Sequence, residues 1–156
     1  MTLVQALALF GGALALAGGL AGSAIGIANA ASSGVATLSE EPGQLRNVII
    51  LASLPMTQTF YGLIILIIIL TVVIPQMAAG TTPAGIAVLA IGIMGAFAEF
   101  FSAVFQGSVC ASGIALLPKT GGQILTSSMM LAVFVELIGV LGLVFSIMAL
   151  SILNLM

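Results

Sequence analysis

Charge is what this sequence has least of. Its 156 residues include two Lys or Arg and four acids, and every acid is Glu because no Asp occurs. A soluble domain of this length needs a charged surface, which Glu40, Glu41, Arg46, Glu99, Lys119 and Glu136 cannot supply. The net charge of −2 is too small for a nucleic-acid partner or an electrostatic membrane tether. The one cysteine, Cys110, cannot form an internal disulfide, and its apolar surroundings suit a small buried thiol. His and Trp are absent. The amino end has no Lys or Arg before its apolar run and no charge before Glu40, so it reads as a retained span rather than a signal peptide.

Apolar residues make up 62% of the chain, enough to organise it as a membrane protein. Four apolar runs cover about 3–37, 47–74, 84–116 and 124–154. Between them stand Ser39-Glu40-Glu41-Pro42-Gly43-Gln44 with Arg46, then Pro75, Gly80, Thr81, Thr82 and Pro83, then Pro118-Lys119-Thr120-Gly121-Gly122. Each run exceeds the roughly 20 residues that cross hydrocarbon, and none alternates as barrel strands do. Backbone polar groups in lipid must be satisfied within the segment, so an all-α protein of four transmembrane helices is predicted. Arg46 and Lys119 place the connections near 39–46 and 118–123 in the cytoplasm and both termini outside, as a multi-pass cell-membrane protein.

The two halves repeat. Ser23-Ala24 recurs as Ser102-Ala103, Ser33-Gly34 as Ser112-Gly113, and Gly43-Gln44 as Gly122-Gln123; after a one-residue slip, Gly62-Leu63 recurs as Gly142-Leu143. The chain therefore divides into hairpins at 1–78 and 79–156, related as a parallel rather than an inverted repeat. Small residues recur every fourth position at Gly18, Gly22, Gly26, Ala30 and Gly34, and again at Ala103, Gly107, Ala111 and Ala115. Such stripes let helix backbones pack closely within the chain, and on both odd-numbered helices they predict that these also pack against neighbouring copies, as in a closed ring.

Glu136 stands midway along the fourth run, in Val133-Phe134-Val135-Glu136-Leu137-Ile138. A carboxylate at mid-membrane costs about 2.5–3.5 kcal/mol on insertion scales, and no Lys or Arg lies in any helix interior to offset it. Its partner must be a proton or an external cation. The second helix offers a matching face, with Leu54, Thr57, Gln58 and Tyr61 on one stripe. Pro55 in that helix lacks an N–H and frees the carbonyl of Leu51. At a rise of about 1.5 Å per residue, Glu136 lies roughly 19 Å from its cytoplasmic connection, Gln106 roughly 18 Å, and Thr57 and Gln58 roughly 15–17 Å. Three neighbouring helices thus pool a carboxylate, amide oxygens and a hydroxyl at one depth. That oxygen set suits Na⁺, whereas a proton site needs only the carboxylate in an apolar pocket. Glu99, roughly 10 Å further outward by the same rise, is expected to stand apart as a protonated acid hydrogen-bonded at a helix contact, with a second ion site as the alternative.

Leu54-Pro55-Met56-Thr57-Gln58-Thr59-Phe60-Tyr61-Gly62, with Phe105-Gln106-Gly107 and Val135-Glu136, resembles the proteolipid K subunit, the c-ring rotor subunit, of bacterial V-type sodium-translocating ATPases. The resemblance covers nearly the whole chain. It implies a closed homo-oligomeric ring that is not itself an enzyme, rotating in lipid against a stator subunit with an essential arginine and driven by a central-stalk subunit. It implies Na⁺ as the carried ion, held by the Leu54 backbone carbonyl, Thr57, Gln58, Gln106 and Glu136, with Tyr61 steadying the carboxylate; H⁺ is the alternative. Met56 takes the place in the first hairpin that Glu136 takes in the second, implying one ion per four helices. Neither the polar connection nor Glu99 belongs to the resemblance. Two other classes share four helices. A small proton-coupled multidrug transporter would need aromatics around its acid, but Trp is absent and aromatics are 6%. A tetraspan scaffold would leave Glu136 without a role.

Overall fold

The computed structural model describes residues 1–77 and 82–156. Four helices in it are long and apolar enough to span a membrane: α1 (Leu3–Glu40), α2 (Pro42–Gln76), α3 (Thr82–Ala115) and α4 (Leu125–Ile152). The predicted runs are thus found, with α1 three residues longer than its apolar run. Pro75 lies inside α2 and Pro83 inside the first turn of α3, so neither marks a turn; the expected turn residues Gly80 and Thr81 lie outside the described residues.

Local chemistry sets the helix ends and bends. Thr2 caps α1 by accepting from the Gln5 backbone N–H, while the Gln5 side chain accepts from the Thr2 N–H at 3.0 Å. Pro55 has no N–H for the preceding turn, and α2 tightens to a 3₁₀ turn at Leu54–Met56. A wider π turn at Ile69–Val73 stands just before Pro75, whose missing N–H has the same effect on the carbonyl of Thr71. After α3, a single helical turn (Leu117–Thr120) ends in Gly121 and Gly122, both with positive φ, a conformation glycine adopts without Cβ strain.

α1 and α3 pack most extensively, with α2 against α1 and α4 against α3. The small-residue stripes explain that pairing. Gly18 and Gly22 of α1 press on the backbone of Ala96 and Phe100, and Gly107 of α3 presses on Gly26. The two stripes meet each other inside the chain. Hydroxyls reinforce the seam: Ser33 donates to the Ala111 carbonyl at 2.9 Å and Thr37 to that of Ile114 at 3.0 Å.

Two apolar clusters form the core. One, toward the termini, contains Val4, Ala8, Ala15, Ile65, Ile69, Val73, Val88 and Leu150. The other, toward the connections, contains Ala30, Val48, Leu51, Cys110, Ile114, Leu117 and Ala132, so Cys110 is the small buried thiol expected. Between them lies a layer of buried polar side chains: Ser23, Gln58, Glu99, Ser102 and Gln106. Large exposed apolar side chains, Phe60, Ile64, Phe134, Leu137 and Ile138 among them, cover the outside of α2 and α4 at that level, as a lipid-facing wall requires.

Candidate ion-carrying site

Glu136 is half-buried on α4, at the edge of the polar layer, and turns toward α2 and α3. Its two carboxyl oxygens are held by different helices. Tyr61 of α2 donates to Oε1 at 2.8 Å, and Gln106 Nε2 of α3 donates to Oε2 at 3.2 Å. Two donors fix the carboxyl plane where one would let it swing. Its flanking residues Phe134, Leu137 and Ile138 are exposed, so the acid sits in an apolar outer surface, closed on its inner side by amides and a phenol.

Behind it the bonds continue inward. Gln58 Nε2 donates to Gln106 Oε1 at 2.9 Å and to Ser102 Oγ at 3.0 Å; both glutamines are fully buried. Thr57 donates to Gln58 Oε1 at 3.2 Å and to the Leu54 carbonyl at 3.3 Å. The 3₁₀ turn at Pro55 brings that carbonyl under Thr57, which also gives it a backbone N–H. The predicted Leu54, Thr57, Gln58, Tyr61, Gln106 and Glu136 therefore form one connected group at one depth. Thr57 and Leu54 join it through Gln58, without a hydrogen bond to Glu136.

Ser102 belongs to the group and was not anticipated as a member. It accepts from Gln58 and donates to the Val135 carbonyl at 3.0 Å, tying α2, α3 and α4 together. A signal existed: Ser102 and Gln106 are four apart on α3 and share a helix face. Glu99 lies on that same face, three residues before Ser102, and it corrects one expectation. Its carboxyl reaches the expected helix contact, against α4, but neither carboxyl oxygen has a hydrogen-bond partner among the described residues.

Chemically the group has one acid at a lipid-facing edge and no basic side chain in contact. On its protein side stand two amides, a hydroxyl and a backbone carbonyl. That arrangement can hold a small cation or a proton and release it again.

The comparisons with known proteins agree with a duplicated carrier. The model of the ATP synthase C-subunit family matches twice, over residues 10–69 and 89–149. The chain belongs to that family: it is a multi-pass, non-catalytic, ion-translocating rotor subunit of an F- or V-type ATPase, working in an oligomeric ring with other subunits. No curated protein sequence matches the chain.

Proposed function

We propose that this member of the C-subunit family is the rotor-ring subunit of a V-type rotary ATPase, and that it carries Na⁺ on Glu136 during ATP-driven rotation. The observation that carries the reading is the setting of Glu136: an acid at a lipid-facing edge, steadied by Tyr61 and Gln106, with no basic side chain to neutralise it. The hairpins are taken as 1–78 and 79–156. With Met56 at the matching place of the first, each subunit takes one ion per four helices, as a V-type ring does.

The ligands are the Glu136 carboxylate, the amide oxygens of Gln58 and Gln106, the Thr57 hydroxyl and the Leu54 carbonyl. Gln106 turns Nε2 toward Glu136, so loading Na⁺ requires its amide to rotate and present Oε1. Tyr61 stays on the carboxylate and Pro55 keeps the Leu54 carbonyl in place. A filled site is close to neutral and can pass through lipid, whereas an empty carboxylate there costs several kcal/mol, of order 3 on insertion scales. Facing the stator, the charged stator arginine competes for Glu136 and the ion leaves. The connections near 39–46 and 118–123 face the cytoplasm, where the central stalk docks, and the termini face outward. One observation favours a proton-carrying ring instead: Gln106 turns its Nε2, a donor that cannot ligate a cation, toward Glu136.

A carbodiimide attacks the protonated carboxyl, so bound Na⁺ should protect Glu136 in the intact ring, and more strongly as pH rises, because Na⁺ and H⁺ compete for one group. Gln106→Leu or Thr57→Val should weaken that protection while sparing the reaction itself. If millimolar Na⁺ leaves the labelling rate unchanged between about pH 5 and 8, the sodium reading fails and the proton-carrying ring replaces it.

A further inference from the structure

Glu99 is the second acid inside the membrane span, and nothing in ion carriage by Glu136 uses it. Its side chain is fully buried and points at α4, where Gly139 and Gly142 leave a niche. A Cβ at Gly139 would lie 2.8 Å from Glu99 Oε2 and 3.1 Å from Ser102 Oγ, so the carboxyl fills the space that a side chain on α4 would occupy. Oε1 stands over Gly142, where a Cβ would come within 3.4 Å of it. Neither oxygen is paired among the described residues.

We propose that this niche is a second cation-binding site, that the cation is a proton, and that it stays on Glu99 through the transport cycle. Its occupant follows from charge and from oxygen count. The two basic side chains, Arg46 and Lys119, lie at the connections and cannot serve as counter-charge. The titratable side chains on the helices facing Glu99 are Tyr61 on α2 and Glu136 on α4, and α1 brings none at that level. An ionised carboxylate there would be unpaired in a low-dielectric interior and would repel Glu136, so the neutral acid is the form the fold accommodates. A metal ion is disfavoured, because a hard cation seeks about six oxygens. The oxygen beside Glu99 in the niche at Gly139 is Ser102 Oγ, and that hydroxyl already accepts from Gln58 and donates to Val135. Each protomer would then hold two acids inside the membrane and move one charge.

Infrared spectroscopy of rings in lipid tests this whichever ion Glu136 carries. In an E136Q ring, Glu99 is the one intramembrane carboxyl left. A protonated-carboxyl C=O band should be present, unchanged by NaCl and by pH between about 5 and 8, and lost in E99Q/E136Q. Should E136Q rings fail to assemble, the difference spectrum between wild type and E99Q at fixed pH and salt must contain the same band. A carboxylate band at Glu99, or a carboxyl band that disappears on adding Na⁺, overturns the proposal; the second result would make Glu99 a site of carried ion.

Discussion

In the first hairpin, Thr59 of α2 donates to Ser23 of α1 at 2.9 Å and to the Gly19 carbonyl at 3.3 Å, and no acid lies at that level. In the second, Ser102 matches Ser23 in the repeat, but it accepts from Gln58 and backs the group that ends on Glu136. Four residues after each serine stand Ile27 and Gln106; at the other matched place stand Met56, 46% exposed, and Glu136, half-buried. In both halves the small serine hydroxyl pins two helices, whichever chemistry lies beside it. The amide and the acid differ together, since neither is useful in lipid without the other: an unpaired carboxyl is costly and an unpaired amide nearly so.

Removing the acid erases the difference between the hairpins and should have the largest effect. Glu136→Gln is isosteric and neutral, so rings should still assemble while ion transport by the reconstituted complex falls to background. Measurable transport in such rings would move the site elsewhere. Adding an acid to the first hairpin tests the comparison from the other side. Met56→Glu has Ile27 where an amide is needed, so carbodiimide labelling should show no second Na⁺-protected carboxyl per protomer. Ring yield should also fall, in line with a cost of about 2.5–3.5 kcal/mol for an unpaired acid. A second protected site would mean that the amide is dispensable. The serine pair gives the smallest effect and the finest distinction. Ser23→Ala and Ser102→Ala should each cost about 1 kcal/mol in thermal stability of the ring. Only Ser102→Ala should also weaken Na⁺ protection of Glu136, because only Ser102 touches Gln58; equal effects on protection would dissolve the contrast.

Much of this was legible in the sequence, for reasons that mark where legibility stops. A span declares itself by length and hydropathy, so all four helices were readable. An acid amid Val, Phe and Leu needs a reason, so Glu136 stood out, and counting residues from the polar connections placed Gln106, Gln58 and Thr57 at its depth. Ser102 and the Gly139–Gly142 niche were not read, because a serine or a glycine in a membrane helix is common and its meaning depends on which helix faces it. The small-residue stripes show the same limit. Periodicity identified the close-packing faces of α1 and α3 but not which helix each meets within the chain, and there they meet each other. Glu99 was placed by depth along its own helix, which says nothing about a side chain reaching into a gap on α4.

The seam between α1 and α3 has a consequence at the level of the gene. At Gly18, Gly22, Gly92 and Gly107 a Cβ would land on backbone atoms of the opposite helix, where no side chain can move aside. Glycine codons begin GG, and any base change that alters the encoded residue introduces an amino acid with a Cβ. No single-nucleotide replacement at these codons is therefore conservative, alanine included. In a mutational scan they should be as intolerant as Glu136, although they touch no ion, and only synonymous third-base variation should survive there.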